Sequence, residues 1–295
     1  MTIAFPYRTT TIAPAVALAV SAMVFVQLSA ALSRPLVAEI GVPGVTWLRM
    51  AAAAAIMMVL TRPKLRGLDR KAMLAALMLG AALATMSAAY FAAVNHIPLG
   101  LASTIAFLGP LSVAMLGARG WRFTALALLA GVGVLLSLDP WSTGAGTGWT
   151  ANPVGVALAA VSACGFAAYI LLSRRVGALF PGTDGLTIAL LTAAILLTPF
   201  GLIGMTAAPS VPVVLGTVSL AILAPLLTCW FEMAALRQLG SQTFSILLSL
   251  EPAVAAVLGI VLLLEVPSAL QTVGLACVVI ASILVVRISS AEAAA

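Results

Sequence analysis

Glu251 and Pro252 stand side by side in SLEPAVAAVLG, residues 249–259, within a stretch from Leu239 to Leu264 that holds no other charge. An ionised carboxylate near the centre of a bilayer costs at least about 2.5–3.5 kcal/mol on insertion scales, so it faces protein or water, or takes up a proton. Pro252 has no N–H for the carbonyl of Leu248, which leaves an acceptor free and invites a kink. Such a pair marks either a ligand- or proton-binding site or a structural acid bonded to a neighbouring helix. Arg49 is the second charge inside an apolar run. Its guanidinium fork suits a carboxylate, with Glu251 left to meet an ammonium group or carry a proton. The alternative for Arg49 is snorkelling to the headgroups.

Gln27 falls at mid-depth of the first apolar run and is a candidate for lining a cavity. Tyr90, Trp230 and Trp47 either stack on an apolar or aromatic ligand or belong to the aromatic belts at the membrane surfaces. Gln242, Ser245 and Ser249 recur at helical spacing, but Glu251 points about 200° away from Ser249 on a straight helix. That stripe reads as glue between helices. Glu232 and Arg237 are spaced to pair with each other near a helix end. His96 lies in the short loop NHIP without a neighbouring acid or nucleophile. Cys164, Cys229 and Cys277 lie in apolar runs without metal-ligand spacing, so no metal site is expected. No Walker A segment or GxSxG elbow is present. No cofactor and no enzymatic activity are expected.

The elements that position these residues are set by composition. Of 295 residues, 63% are hydrophobic and 7% charged, with a mean hydropathy of +1.22. A water-soluble domain with so little charge would expose one contiguous apolar patch, so the solvent is a bilayer and the partner is membrane lipid. The net charge of +6 is scattered over short loops and marks topology rather than nucleic-acid binding.

Apolar runs long enough to cross a hydrocarbon core of about 30 Å fall at 12–32, 44–61, 72–93, 98–117, 121–138, 153–173, 185–204, 212–235, 241–263 and 268–286. Placing the N-terminus in the cytoplasm puts all but two of the 14 basic residues, Arg34 and Arg49, in cytoplasmic segments. Both termini are therefore expected inside.

The chain also matches itself. Tyr90-Phe91 and Leu99-Gly100 align with Trp230-Phe231 and Leu239-Gly240 at an offset of 140, and Gly109-Pro110 aligns with Glu251-Pro252 at 142. Five spans per half is an odd number, so the second copy is inverted. The expected fold is an all-α integral membrane protein of ten transmembrane helices in two inverted five-helix repeats. The repeats occupy residues 1–140 and 153–295, joined by a Gly-rich loop at 141–152. Inverted repeats are a recurring transporter architecture with the binding site at their interface near the midplane. Gly109, Pro110 and Pro252 then mark bends around a central cavity.

The patterns Tyr90…Gly100…Pro110 and Trp230…Gly240…Pro252, ending in Gly259…Glu265, resemble the drug/metabolite transporter superfamily, in particular its EamA-type ten-helix exporters. GVPGVTWLRM and FEMAALRQLGSQTFSILLSLEPAVAAVLG are most similar to the threonine/homoserine exporters and the related bacterial exporters of aromatic and other amino acids. The resemblance covers both halves and implies efflux of amino acids across the inner membrane by a secondary transporter. One departure stands out: the acid 13 positions after the repeat proline is Glu265 in the second half but Phe123 in the first. The two halves are not chemically equivalent. The alternative cargo is a drug or hydrophobic cation, with Glu251 as its counter-charge. The sequence leaves the oligomeric state open, a monomer being the simplest case.

Overall fold

The computed structural model describes residues 13–63, 69–116, 121–138, 152–180 and 182–294, with the side chains of 114, 233, 236, 237, 240–246, 286 and 289–294 excepted. The linker expected at 141–152 lies outside these residues except for Asn152, as do the side chains of Arg237, Gln242 and Ser245.

The described backbone is helical: α1 (Ala13–Leu32), α2 (Arg34–Thr61), α3 (Arg70–Ala93), α4 (Leu99–Ala106), α5 (Leu108–Met115), α6 (Trp121–Leu138), α7 (Pro153–Leu179), α8 (Asp184–Ile203), α9 (Val211–Ala221), a π-helical turn (Ile222–Leu227), α10 (Thr228–Leu248), α11 (Glu251–Leu263) and α12 (Ala269–Ala294). Seven segments are long and apolar enough to cross a membrane alone, and three shorter apolar ones, Leu99–Val113, Glu251–Leu263 and Ala269–Val285, join them. The helices bury small residues against one another and turn large apolar ones outward, with Phe200 71% and Ile203 86% exposed. In a bilayer this exterior meets lipid tails, and helices keep their backbone polar groups bonded internally.

Proline splits two of the spans where its missing N–H dictates. A proline cannot bond the carbonyl four residues back. For Pro110 that residue is Ala106, the last of α4; for Pro252 it is Leu248, the last of α10. The backbone between stays right-handed, with Phe107 at φ −68°, ψ −14° and Leu250 at φ −84°, ψ −7°. Each break is thus a local unwinding within a continuing span.

Two boundaries differ from expectation. The second span does not begin at residue 44: helix continues back to Arg34, across a kink at Gly41 (φ 75°, ψ 162°) just before Pro43. Glycine takes that conformation without steric cost. Arg49 is therefore near the middle of its helix. The gap expected between 235 and 241 falls inside α10, and the interruption comes earlier, at Ala224, which is extended (φ −145°, ψ 127°) ahead of Pro225.

The main interhelix packings map onto one another when the halves are exchanged. Helix α3 packs on α7 as α10 packs on α1; α3 meets α8 as α9 meets α2; α4 and α5 meet α7 as α11 meets α1. Across the middle, α2 pairs with α8, α4 with α11 and α6 with α12. At the last crossing a Cβ on Gly133 would lie 2.7 Å from the Gly274 carbonyl, and one on Gly274 2.5 Å from that of Gly133. Small residues here bring the two backbones into contact, as at many membrane helix crossings.

Candidate functional site

Helical faces converge on one cavity. Leu83, Met86, Ser87, Tyr90 and Phe91 project from α3 at positions one turn apart; Ser162, Phe166 and Tyr169 do so from α7, and Thr46, Arg49 and Met50 from α2. Ser103 and Phe107 add the α4 side. Pro225, Thr228, Cys229 and Glu232 form a stripe through the interrupted helix, and Glu251 opens α11. The cavity encloses about 980 Å³ of empty space, its open mouth included. Its wall is mostly apolar and aromatic, with few polar groups, the usual make-up of a small-molecule site.

The polar groups form two anchored arms. In the first, Gln27, fully buried on α1, acts as a hub. Its Nε2 donates to Glu251 Oε1 at 3.2 Å and lies 3.4 Å from Ser103 Oγ, while Tyr90 donates its hydroxyl to Gln27 Oε1 at 2.8 Å. Glu251 is thus held by one carboxylate oxygen, and its buried Oε2 has no hydrogen-bond partner among the described residues. In the second arm, Arg49 is 4% exposed and lies over the Phe91 ring, 4.0 Å from its centroid. Its Nη2 donates to the Ala224 carbonyl at 2.8 Å, whereas Nε and Nη1 are buried without partners among the described residues. The extended backbone at Ala224 turns that carbonyl away from helical bonding and toward α2.

This burial removes the snorkelling alternative for Arg49, because a guanidinium stacked on Phe91 in the interior does not reach a headgroup. Of the other residues singled out in the sequence, Tyr90 lines the cavity and Gln27 supports it from behind. Trp47 does not line it. Its Nε1 donates to Thr198 Oγ1 at 3.0 Å, and Gly201 makes room for the ring, since a Cβ there would lie 2.3 Å from that of Trp47. Trp230 is 38% exposed, beside Phe231. On a helix it sits about 100° from Cys229 and about 200° from Glu232, off the lining stripe. Gly109 and Pro110 are buried behind the wall, Gly109 pressed on α7.

Sequence reasoning passed over Ser103, Ser162, Phe166 and Tyr169. Glu232, whose spacing suggests a pair with Arg237, also lines the cavity; the Arg237 side chain lies outside the described residues. The pattern Thr228, Cys229, Glu232, at i, i+1 and i+4, held the clue. Away from the cavity, Glu265 accepts from the backbone N–H of Leu99 at 2.8 Å and forms an ion pair with Arg34, tying the starts of α2 and α4 to the α11–α12 turn.

A helical membrane exterior around a buried cavity with opposed, partly unpaired charges defines a multi-pass transporter of small molecules. The chain belongs to the EamA-like transporter family of the drug/metabolite transporter superfamily: residues 153–287 match that family. It is 32% identical over 268 residues to the threonine/homoserine exporter RhtA of Salmonella typhimurium (strain SL1344), covering 88% of this chain and 87% of that protein. The RhtA of Escherichia coli (strain K12) matches over the same shares at the same identity. A solved crystal structure, 17% identical, has the same fold with a TM-score of 0.59, over 95% of this chain and 99% of its own. The protein is accordingly a small-molecule exporter.

Proposed function

We propose that this exporter carries amino acids out of the cytoplasm by alternating access, binding the cargo carboxylate at Arg49 and its ammonium at Glu251. The observation behind this reading is that two opposite charges line one cavity, each anchored on one side and each left with unpartnered atoms. Buried polar groups without partners are costly, and a zwitterion supplies partners to both. The similarity to exporters named for threonine and homoserine points the same way. A hydrophobic cation suits Glu251 but would share the cavity with the Arg49 charge, at a Coulombic cost in a low-dielectric setting.

In this reading the halves, residues 1–140 and 153–295, are inverted repeats that rock about the central helix pairs. Both termini face the cytoplasm, and the membrane is the inner one. The exchange symmetry of the helix packings supports the repeats, and the distribution of basic residues supports the orientation. Radiolabelled threonine, methionine and phenylalanine are the cargoes to test in proteoliposomes. Saturable counterflow of at least one, competed by unlabelled amino acids and not by lipophilic cations, is the expected result. Competition by lipophilic cations alone would overturn the reading.

A further inference from the structure

One charged cluster stands just beyond the chamber and joins the two halves. Glu265, in the turn between α11 and α12, accepts from the Leu99 N–H at 2.8 Å and pairs with Arg34, whose Nη2 also donates to the Val94 carbonyl at 3.1 Å. Arg34, Val94 and Leu99 lie in the first half and Glu265 in the second, so one carboxylate carries the cluster across. Leu99 is the first residue of α4, where backbone N–H groups have no partner within the helix. The second half therefore caps a helix of the first. Gly259 leaves room for this, since a Cβ there would lie 3.1 Å from Glu265 Oε2.

The position of the cluster relates it to the cargo. Val94 is one helical turn past Tyr90 and Leu99 one turn before Ser103, and both Tyr90 and Ser103 line the chamber. In the orientation proposed above, on which this inference rests, that end faces away from the cytoplasm. Arg34 and Arg49 are the two basic residues that the positive-inside distribution leaves over. Arg49 serves the chamber, and the bond to Glu265 gives Arg34 its reason to stand outside.

The repeat does not copy this cluster. At offsets of 140 and 142 the partners of Arg34 and Glu265 are Arg174 and Phe123. Arg174 is exposed, and Phe123 is buried against Leu111, Leu126 and Ala281. A phenyl ring supplies no carboxylate to hold an arginine and a helix start together.

We propose that Arg34 and Glu265 form the outer gate of the exporter, a bolt between the halves that the mirror positions Arg174 and Phe123 cannot form on the cytoplasmic side. Outward opening parts Glu265 from Arg34 and from Leu99 together, whereas inward opening breaks no such bond at the mirror positions. A two-state equilibrium follows the contacts that differ between its states, so the empty chamber rests open to the cytoplasm, where cargo is loaded. Release to the outside requires bound cargo to offset the loss of the bolt.

The test reads which side the chamber faces. Cys229 lines the chamber and serves as the probe, in the full chain with Cys164→Ala and Cys277→Ala. A membrane-impermeant methanethiosulfonate is added to right-side-out and to inside-out membrane vesicles, and a protease-cleavable tag on the C-terminus reports the orientation of the chain in each. Glu265→Gln and Arg34→Gln are expected to label Cys229 about tenfold faster than the background from the outside, with no acceleration from the cytoplasmic side. Arg34→Lys should restore most of the slow outside rate, and the double variant should add little to either single one. Outside labelling unchanged in both variants would overturn the proposal. Equal acceleration from both sides would overturn it too, because it marks a loosened structure and not an opened gate. A tag cleaved only in right-side-out vesicles would instead refute the orientation, and the outer placement of the gate with it.

Discussion

Glu251 and Gly109 occupy matching positions in the two halves, and each faces the first helix of the opposite half. Glu251 reaches Gln27 on α1, while Gly109 presses directly on α7, where a Cβ would lie 2.2 Å from the Ala163 carbonyl and 3.1 Å from Ala167 N. Gln27 and Ala167 are themselves repeat partners at the offset of 140. One half therefore fills the contact with a carboxylate and an amide, the other with bare backbone. The polar arm of the cavity is built once, not twice.

Adding a methyl group at Gly109 follows as a test of that closed contact. Gly109→Ala forces α5 off α7 and is expected to destabilise by about 1–3 kcal/mol, the usual cost of overpacking. The readout is the melting temperature of the detergent-purified protein, and an unchanged value would show that α7 yields freely.

Glu251→Gln keeps the shape and a bonding partner for Gln27 but removes the charge proposed to meet the cargo ammonium. Hydrogen bonds to charged groups contribute about 1.5–3 kcal/mol. The apparent affinity in counterflow should accordingly drop roughly ten- to a hundredfold, with little change in melting temperature. Full activity in this variant would return Glu251 to a structural role.

Arg49→Lys retains a positive charge and yet is expected to impair transport. An ammonium is a point charge without the planar fork, so it cannot hold the Ala224 carbonyl, lie flat on Phe91 and still present further donors. Phe91→Leu isolates the stacking part, worth about 0.5–2 kcal/mol for a cation over a ring. A rise in KM in both variants, larger for Arg49→Lys, is the expected pattern; equal KM values for Arg49→Lys and wild type would argue against carboxylate recognition.

Tyr90→Phe removes one hydrogen bond from Gln27, and Gln27→Leu removes the hub altogether. The first should cost about 0.5–1.5 kcal/mol in binding or stability and the second more, because Glu251 then loses its anchor. In a double-mutant cycle Gln27→Leu and Glu251→Gln should be non-additive. Strict additivity of their effects on KM would mean that the 3.2 Å contact has no bearing on transport.

The Arg34–Glu265 pair sits apart from the cavity. Glu265→Ala deprives the Leu99 N–H of its acceptor and leaves Arg34 with the Val94 carbonyl, and a donor left unsatisfied costs about 1–3 kcal/mol. A lowered melting temperature is expected, with Glu265→Gln intermediate since its carbonyl still accepts from Leu99. Indifference to both changes would mean that the three helix ends are held by other contacts.

The spans and their splitting were legible because both follow from local chemistry: apolar length for the crossing, proline for the breaks at Ala106 and Leu248. Glu251, Arg49, Gln27 and Tyr90 stood out as polar groups in apolar runs. What escaped depended on rotation about a helix axis. Glu232 has a basic residue five positions on and reads as its partner near a helix end, which hid that its place one turn beyond Thr228 also turns it toward the cavity. Trp47 and Trp230 were singled out by residue type, but their neighbours Thr46 and Cys229 own the lining face. Arg49 falls six residues into the span expected from residue 44, which made snorkelling its alternative. A glycine at positive φ instead lets the helix begin ten residues earlier, at Arg34.

The interrupted helix at Ala224 has a mechanical side. Its carbonyl, on the second half, accepts from Arg49 on the first, so the arginine is fastened to the opposite wall. On the proposed reading, cargo leaving the chamber parts from Arg49, since the guanidinium does not travel outward without letting go of Ala224. The charge proposed to receive the substrate is thus also a strap between α2 and the π-helical turn, and any opening of the chamber on that side begins by carrying both together or by unfastening it.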